Sequence, residues 1–175
     1  SPGRDWNVAT GMVIEGKAGF QIMGDWAKGE FTAAGKVPGV DYYCAPTPSN
    51  NGYLYNVDSF IFYKTSDPEK QEGQKLLAKL MMGKNFQKVF NLYKGSIPAR
   101  LDVSMDEFDK CAKTSNSDIK TAGASGGLVP SFAHGMAQGN TMKAALQDVI
   151  TEHFNSDMSS VDAANALADS VLDNM

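Results

Sequence analysis

Few residues in this sequence could do chemistry. It holds two tryptophans, two histidines and two cysteines in 175 residues. Trp6 and Trp26 each follow an aspartate at the expected start of a helix, in Arg4-Asp5-Trp6 and Gly24-Asp25-Trp26. A pyranose presents an apolar face of C–H groups and a rim of hydroxyls. An indole offers the largest aromatic area to cover that face. The rim needs partners: one carboxylate accepts from two hydroxyls, and Lys or His donates. A buried site of this kind discriminates, because an unmatched polar group costs about 1–3 kcal/mol. Asp58 precedes an apolar run, Lys94 sits in the last turn of an expected helix, and His134 lies in an irregular stretch between Phe132 and Gly135. All three have the right chemistry. Each also has a plainer reading. The tryptophans could be core residues, Asp58 could bond local backbone, and His134 could be structural, as we read His153. Lys94 could simply favour a helix C-terminus from solvent.

No complete catalytic motif stands in its required context. Gly123-Ala124-Ser125-Gly126-Gly127 spells Gly-x-Ser-x-Gly but falls in an expected loop rather than a strand-to-helix turn. Gly11, Gly16 and Lys17 have phosphate-loop spacing, but Ala18 replaces the hydroxyl residue and the run lies in an expected helix. His134 and His153 have no His-x-x-x-His spacing, and no other spacing suggests a metal site. We expect no catalytic residue and no cofactor. Carboxylates are plentiful, so the rival reading is a glycosidase-like enzyme with Asp58 in an acid/base pair. Cys44 and Cys111 are too far apart for a Cys-x-x-Cys metal or redox site. A disulfide in an oxidising compartment and two buried thiols both stay open.

The elements that must position these residues follow from spacing. A helix is predicted over residues 5–17, with Asp5 as its cap, and a short strand over 18–23. A shorter helix opens at Gly24-Asp25, carries Trp26, Phe31 and Ala34, and ends at Gly35. A short strand over 40–45 precedes a loop marked by Pro46, Pro48, Asn50, Asn51 and Gly52. Residues 53–63 are rich in aromatic and β-branched side chains and predict a strand. Its end, Phe60-Ile61-Phe62-Tyr63, is apolar on both faces and should be buried. Ser66 or Asp67 should cap a helix with Pro68 in its first turn, bearing Leu76, Leu77, Leu80 and Met81. Phe86, Val89, Phe90 and Tyr93 predict the next helix, ended by Gly95. Ser104 and Glu107 suggest a capping box for a short helix. Residues 114–127 hold a loop and 129–136 are irregular. Two amphipathic helices follow, one from Asn140 and one capped by Ser159. The total is about three strands, against about 5–6 in an ordinary sheet, so part of a sheet is expected to lie outside this chain.

Composition sets the class. Hydrophobic residues are 42% and charged residues 21%, as in ordinary globular proteins. The net charge of −4 disfavours a nucleic-acid partner. No apolar run approaches the roughly 20 residues of a membrane span. The start at Ser1 shows neither Met nor a signal segment, which suggests a processed chain or part of a longer protein.

The motifs carry a resemblance. The run Gly16-Lys17-Ala18-Gly19-Phe20-Gln21-Ile22-Met23-Gly24-Asp25-Trp26-Ala27 resembles the Gly-Lys-Ala to Gly-Asp-Trp segment of extracellular solute-binding proteins. These deliver sugars to ATP-binding-cassette (ABC) importers. Residues 1–7 and 31–39, Asn56-Val57-Asp58-Ser59-Phe60, and Phe90 to Pro98 are similar to the glucose/mannose-binding branch. So are Val129 to Met136 and His153-Phe154-Asn155-Ser156. The resemblance spans essentially the whole chain.

It implies an α/β fold of the periplasmic-binding-protein-like, two-lobe type, of which this chain would be only the C-terminal part, helix-rich with about three strands. Residues 1–52 would belong to the C-terminal lobe. Residues 53–98 would make a hinge crossing and part of the N-terminal lobe, and 99–175 a helical return to the C-terminal lobe. Trp6 and Trp26 would supply aromatic surface, while Asp58, Lys94 and His134 would bond hydroxyls. Cys44 and Cys111 would form a periplasmic disulfide. The function implied is periplasmic capture of one monosaccharide and delivery to an inner-membrane ABC permease, without catalysis. Glucose is the first expectation, with mannose or galactose as alternatives. A further implied partner is the N-terminal half of the same protein. A helical interaction module with sugar-silent tryptophans is a third reading.

Overall fold

The computed structural model describes residues 5–48 and 52–175. The motif residues Ser1 to Arg4 and the loop residues Asn50 and Asn51 lie outside them. The described chain forms two compact units. One joins the described part of Ser1–Asn51 to Ser59–Gly127; the other joins Gly52–Asp58 to Leu128–Met175.

The first unit is helical. It holds α1 (Trp6–Ile14), α2 (Lys28–Ala33), α3 (Pro68–Met81), α4 (Lys84–Lys94) and α5 (Lys110–Ala124). Local chemistry sets their ends. Asp67 accepts from the N–H groups of Glu69 and Lys70 at 3.0 and 3.3 Å, with Pro68 in the first turn, where its missing N–H costs nothing. Gly95 closes α4 in the left-handed region, at φ 90°, which a side chain would resist. Helix α1 packs on α2, and both α2 and α3 pack on α4. The Thr10 hydroxyl, fully buried, shares its proton between Trp6 O and Gln21 Oε1, at 3.0 and 2.8 Å.

Two links tie α5 to this packing. Cys44 and Cys111 form a disulfide. Asp109 caps α5 by accepting from Ala112 N–H at 2.9 Å, and it also receives the Lys28 ammonium at 2.8 Å. The Lys28 side chain is only 7% exposed. A charge so buried needs a counter-ion. Burial works against ionisation of Asp109, but Lys28 and the N–H groups of α5 outweigh it and hold its carboxyl below the usual range. Tyr42 lies against Phe31, with ring centroids 4.2 Å apart. Burial, helped by the charge of Asp109, pushes its hydroxyl up to about 12.

The second unit holds β1 (Tyr53–Tyr55), β2 (Leu128–Pro130), α6 (Asn140–Asn155) and α7 (Ser160–Asp173). The strands pair in parallel, Tyr53 opposite Leu128 and Tyr55 opposite Pro130. Helices α6 and α7 pack on each other, and Ser159 caps α7 through Asp162 N–H at 3.1 Å.

The class is helix-rich α/β, with seven α-helices and one two-stranded parallel sheet among the described residues. Several local predictions are corrected. Residues 18–23 form no strand, and 40–45 contribute only a single bridge, Pro38 to Tyr42. The predicted strand over 53–63 is paired only at 53–55. Residues 60–63 are unpaired rather than buried, with Ile61 and Tyr63 exposed by 78% and 83%. A strand needs a ladder partner, and among the described residues none pairs with this stretch. Helix α5 runs through Ser115 to Ala124, where a loop was expected. Its cap is Asp109, while the Ser104 hydroxyl donates to Asp106 Oδ2 at 2.7 Å and accepts from Asp106 N–H at 3.2 Å. Val129 and Pro130, expected to be irregular, belong to a strand, Leu128–Pro130.

Apolar cover is incomplete. Phe20, Ile61, Tyr63 and Tyr93 in the first unit are all more than three-quarters exposed.

Two outcomes are expected. Replacing Cys44 and Cys111 together by Ala opens a loop with a sequence separation of 67 and lowers the unfolding free energy by about 4 kcal/mol, read from urea titration. Asp109→Asn lowers it by about 2 kcal/mol near neutral pH, since Lys28 then lacks its counter-charge. A carboxyl held low stabilises above its unfolded value of 3.8. The contribution is lost as pH falls through the lowered folded value, so the gap between parent and variant narrows as the pH drops below 3.8. Unfolding curves from pH 7 to 2.5 check this.

Candidate functional site

In the first unit, a single 3₁₀ turn, Asp25–Ala27, leads straight into α2. The Gly-Asp-Trp segment that forms it has a physical reason at each position. The Trp26 ring folds back over Gly24, and a Cβ on Gly24 would fall within the ring. Asp25 Oδ2 accepts from Ile97 N–H at 2.9 Å. Burial raises the pKa of Asp25, opposed by that N–H and by the charges of Lys28 and Lys94.

Glycines close the same region. A Cβ on Gly29 would lie 2.8 Å from Lys94 O, and one on Gly95 would lie 2.5 Å from Gly29 N. The start of α2 and the end of α4 therefore meet backbone to backbone. The structure thus brings the segments bearing Trp26 and Lys94 together, both side chains half-buried. The Lys94 ammonium is 5.9 Å from the Phe90 ring centre. Trp6 opens α1, which packs on α2, and its carbonyl takes Gln21 Nε2 at 3.1 Å. It is more than one-third exposed.

Asp58 and His134 belong to the second unit. They sit on the segments that leave the C-terminal ends of the paired strands, the place where open α/β sheets bind ligands. Ser131 N–H extends the pairing to Tyr55 O at 2.8 Å, and Val57 N–H approaches Met136 Sδ at 3.2 Å. These two contacts hold the segments of Asp58 and His134 side by side. Asn56 Nδ2 donates to Asp58 Oδ1 at 3.2 Å. The buried Ser131 hydroxyl bonds His134 Nδ1 at 2.7 Å and fixes the ring. His153 is engaged by Met158 O, at 2.9 Å.

Sequence reasoning missed Asp25, Ile97, Asn56 and Ser131 as supports of these groups. Asp25 and Ile97 stand in two motif segments whose pairing no single sequence shows. Ser131 lies three residues before His134 in an irregular stretch, and that spacing was the only available signal. No three His, Cys, Asp or Glu cluster for a metal among the described residues. No described helix is long and apolar enough to cross a membrane.

Helix-rich α/β architecture with polar groups at the strand ends fits a fragment of the periplasmic-binding-protein-like fold. No protein-family model matches the chain. A probable sugar-binding periplasmic protein of Brucella suis biovar 1 is 47% identical over 170 residues, 97% of this chain and 40% of the relative. A probable sugar-binding periplasmic protein of Rhizobium meliloti is 45% identical over 170 residues, 97% of this chain and 41% of the relative. An uncharacterized ABC transporter extracellular-binding protein of Pyrococcus horikoshii is 34% identical over 150 residues, 85% of this chain and 33% of the relative. Over nearly its whole length the chain is similar to a segment of these probable sugar-binding periplasmic proteins. It spans about 40% of the length of the curated sugar-binding relatives it matches.

The glycine contact is testable. Gly95→Ala adds a Cβ at positive φ and against backbone, and should lower the unfolding free energy by about 3 kcal/mol. Gly29→Ala, with ordinary φ but the same crowding, should cost about 1–2 kcal/mol. Urea unfolding of the two variants beside the parent measures both.

Proposed function

We propose that the chain is the C-terminal portion of the sugar-binding component of an ABC importer, and that its ligand is a monosaccharide, glucose first. The observation that carries this reading is the braced pairing of the Trp26 and Lys94 segments in the first unit. An aromatic ring and an ammonium carried on two segments so joined suit a pyranose ring with its rim of hydroxyls. Trp6 would add aromatic surface, and Asp58 and His134 have the acceptor and donor chemistry that hydroxyls need. Mannose and galactose differ from glucose only in hydroxyl stereochemistry and are the competing ligands.

In this reading residues 1–52 and 99–175 belong to one lobe, and 53–98 cross the hinge and enter the other. The protein works in the periplasm, closes on one sugar, and presents the closed form to an inner-membrane permease. It performs no chemistry. The contacts come from both lobes, so the portion in hand holds an incomplete set. The homology supports the class of ligand, and the strand-end placement of Asp58 and His134 supports their role.

Two preparations test this. The chain alone, titrated with glucose and followed by tryptophan fluorescence, should show no saturation below millimolar sugar. A chimera in which the chain replaces the matching stretch of the Brucella suis relative should bind glucose or one of its epimers in the micromolar range or tighter. In the chimera, Asp58→Asn or His134→Ala should weaken binding at least about tenfold, as loss of a charged or buried hydrogen bond does. Tight binding by the chain alone sinks the reading. So does a folded chimera that binds no hexose, or release of product from a chromogenic glycoside.

A further inference from the structure

The sugar reading uses Trp26 and Lys94 but leaves Asp25, between Gly24 and Trp26, without a task. The structure shows what its carboxylate touches. It accepts from Ile97 N–H at 2.9 Å, and the backbone N–H of Trp26 also points to it. One side chain therefore joins the turn that carries Trp26 to the turn that follows Lys94. Ile97 lies between Ser96 and Pro98, both buried. Pro98 has no N–H to offer, so the amide of Ile97 is a natural handle on this turn.

The second tie lies next to the first. Gly29 and Gly95 touch through backbone, and the positive φ of Gly95 turns the chain immediately after Lys94. A single contact between two elements leaves them free to pivot about it. Two contacts, one at Gly95 and one at Ile97, remove that freedom. They also bracket the turn, so Lys94 leaves α4 in a fixed direction relative to Trp26.

We infer that Asp25 is a positioning residue, whose carboxylate locks the Asp25–Ala27 turn to the 95–98 turn and so sets Trp26 and Lys94 in fixed relation to each other. The consequence for affinity rests on the reading of Trp26 and Lys94 as sugar contacts. The brace itself does not depend on that reading.

The hydrogen-bond acceptor is the active element, which separates Asp25→Asn from Asp25→Ala. Asn keeps an oxygen for Ile97 N–H, whereas Ala leaves that amide without its partner. In the chain with Trp6→Phe, Trp26 is the sole tryptophan and reports by near-ultraviolet circular dichroism. Asp25→Ala should lose about half or more of that signal. It should also speed hydrogen exchange at Ile97 N–H by about tenfold, with far-ultraviolet helix content unchanged. Asp25→Asn should restore most of both. In the chimera described above, Asp25→Ala should weaken glucose binding by about tenfold and Asp25→Asn by less than about threefold. If Asp25→Ala loses its helix signal, Asp25→Ser replaces it, since a shorter side chain withdraws the acceptor with less emptied space.

The inference is overturned if Asp25→Ala keeps the parent's Trp26 signal and Ile97 protection. It is equally overturned if Asn rescues nothing, or if the signals change while affinity in the chimera does not. If no form binds sugar, yet Trp26 and Ile97 respond as stated, the brace stands and the sugar reading falls.

Discussion

A lysine ammonium cannot stay buried and charged without a counter-charge, and the buried Lys28 is where the first unit is gathered. Its side chain is matched by Asp109, which is also the cap of α5. Its neighbour Gly29 lies against the carbonyl of Lys94, and Gly95 would crowd Lys28 as well as Gly29 if it bore a Cβ. Three residues earlier, Asp25 reaches Ile97. The start of α2 thus meets α4, the turn after α4, and the head of α5 within five residues. Removing the charge match at Lys28 would loosen the packing that gives Trp26 and Lys94 their relation. The disulfide at Cys111, two residues after Asp109, restrains the same end of α5 by a link that pH does not alter.

The apolar surplus has a physical cause visible in particular residues. Phe60 meets Phe90 at 6.5 Å between ring centres, and Phe86 stacks on Phe90 at 5.5 Å, so this face of α4 is partly covered by the chain's own aromatics. Tyr93, on the same stripe, is 83% exposed. Ile61 and Tyr63 extend the surface along an unpaired stretch of backbone. An unbroken apolar run creates a demand for cover on both faces of such a stretch; it does not supply the neighbours. The relatives are more than twice as long as this chain, which is the scale of cover their extra residues can offer.

That distinction also explains what was legible in the sequence. Several signals that act within a few residues read correctly, although the Ser104 and Glu107 box did not. Asp67 with Pro68, Gly95 after Lys94, and Ser159 with Asp162 all stand at helix ends as their chemistry requires. Signals that need a partner far along the chain did not. Residues 18–23 and 60–63 have strand-like side chains but no ladder, while Leu128–Pro130, with a proline in it, pairs because β1 is alongside. Helix α5 contains Ser, Thr, Asn and Gly, all poor helix formers. It forms nonetheless, capped by Asp109 and anchored through Cys111, and only the cap is a local feature. The side chains that suit a sugar could be named from their types. Their supports, Asp25 and Ser131, could not, because each works through a contact set by the fold.

The local bonds at Asp58 and His134 orient both groups. Asn56 Nδ2 donates to Asp58 Oδ1 and so directs the carboxylate. The buried Ser131 hydroxyl bonds His134 Nδ1 and fixes the plane of the ring. Binding a small polar ligand loses affinity for every rotamer it must freeze. Side chains held beforehand by Asn56, Ser131 and the Asp25 brace avoid that loss. Of these supports only Ser131 is buried, whereas the Asn56–Asp58 bond is exposed, so the ring of His134 is held more firmly than the carboxylate of Asp58.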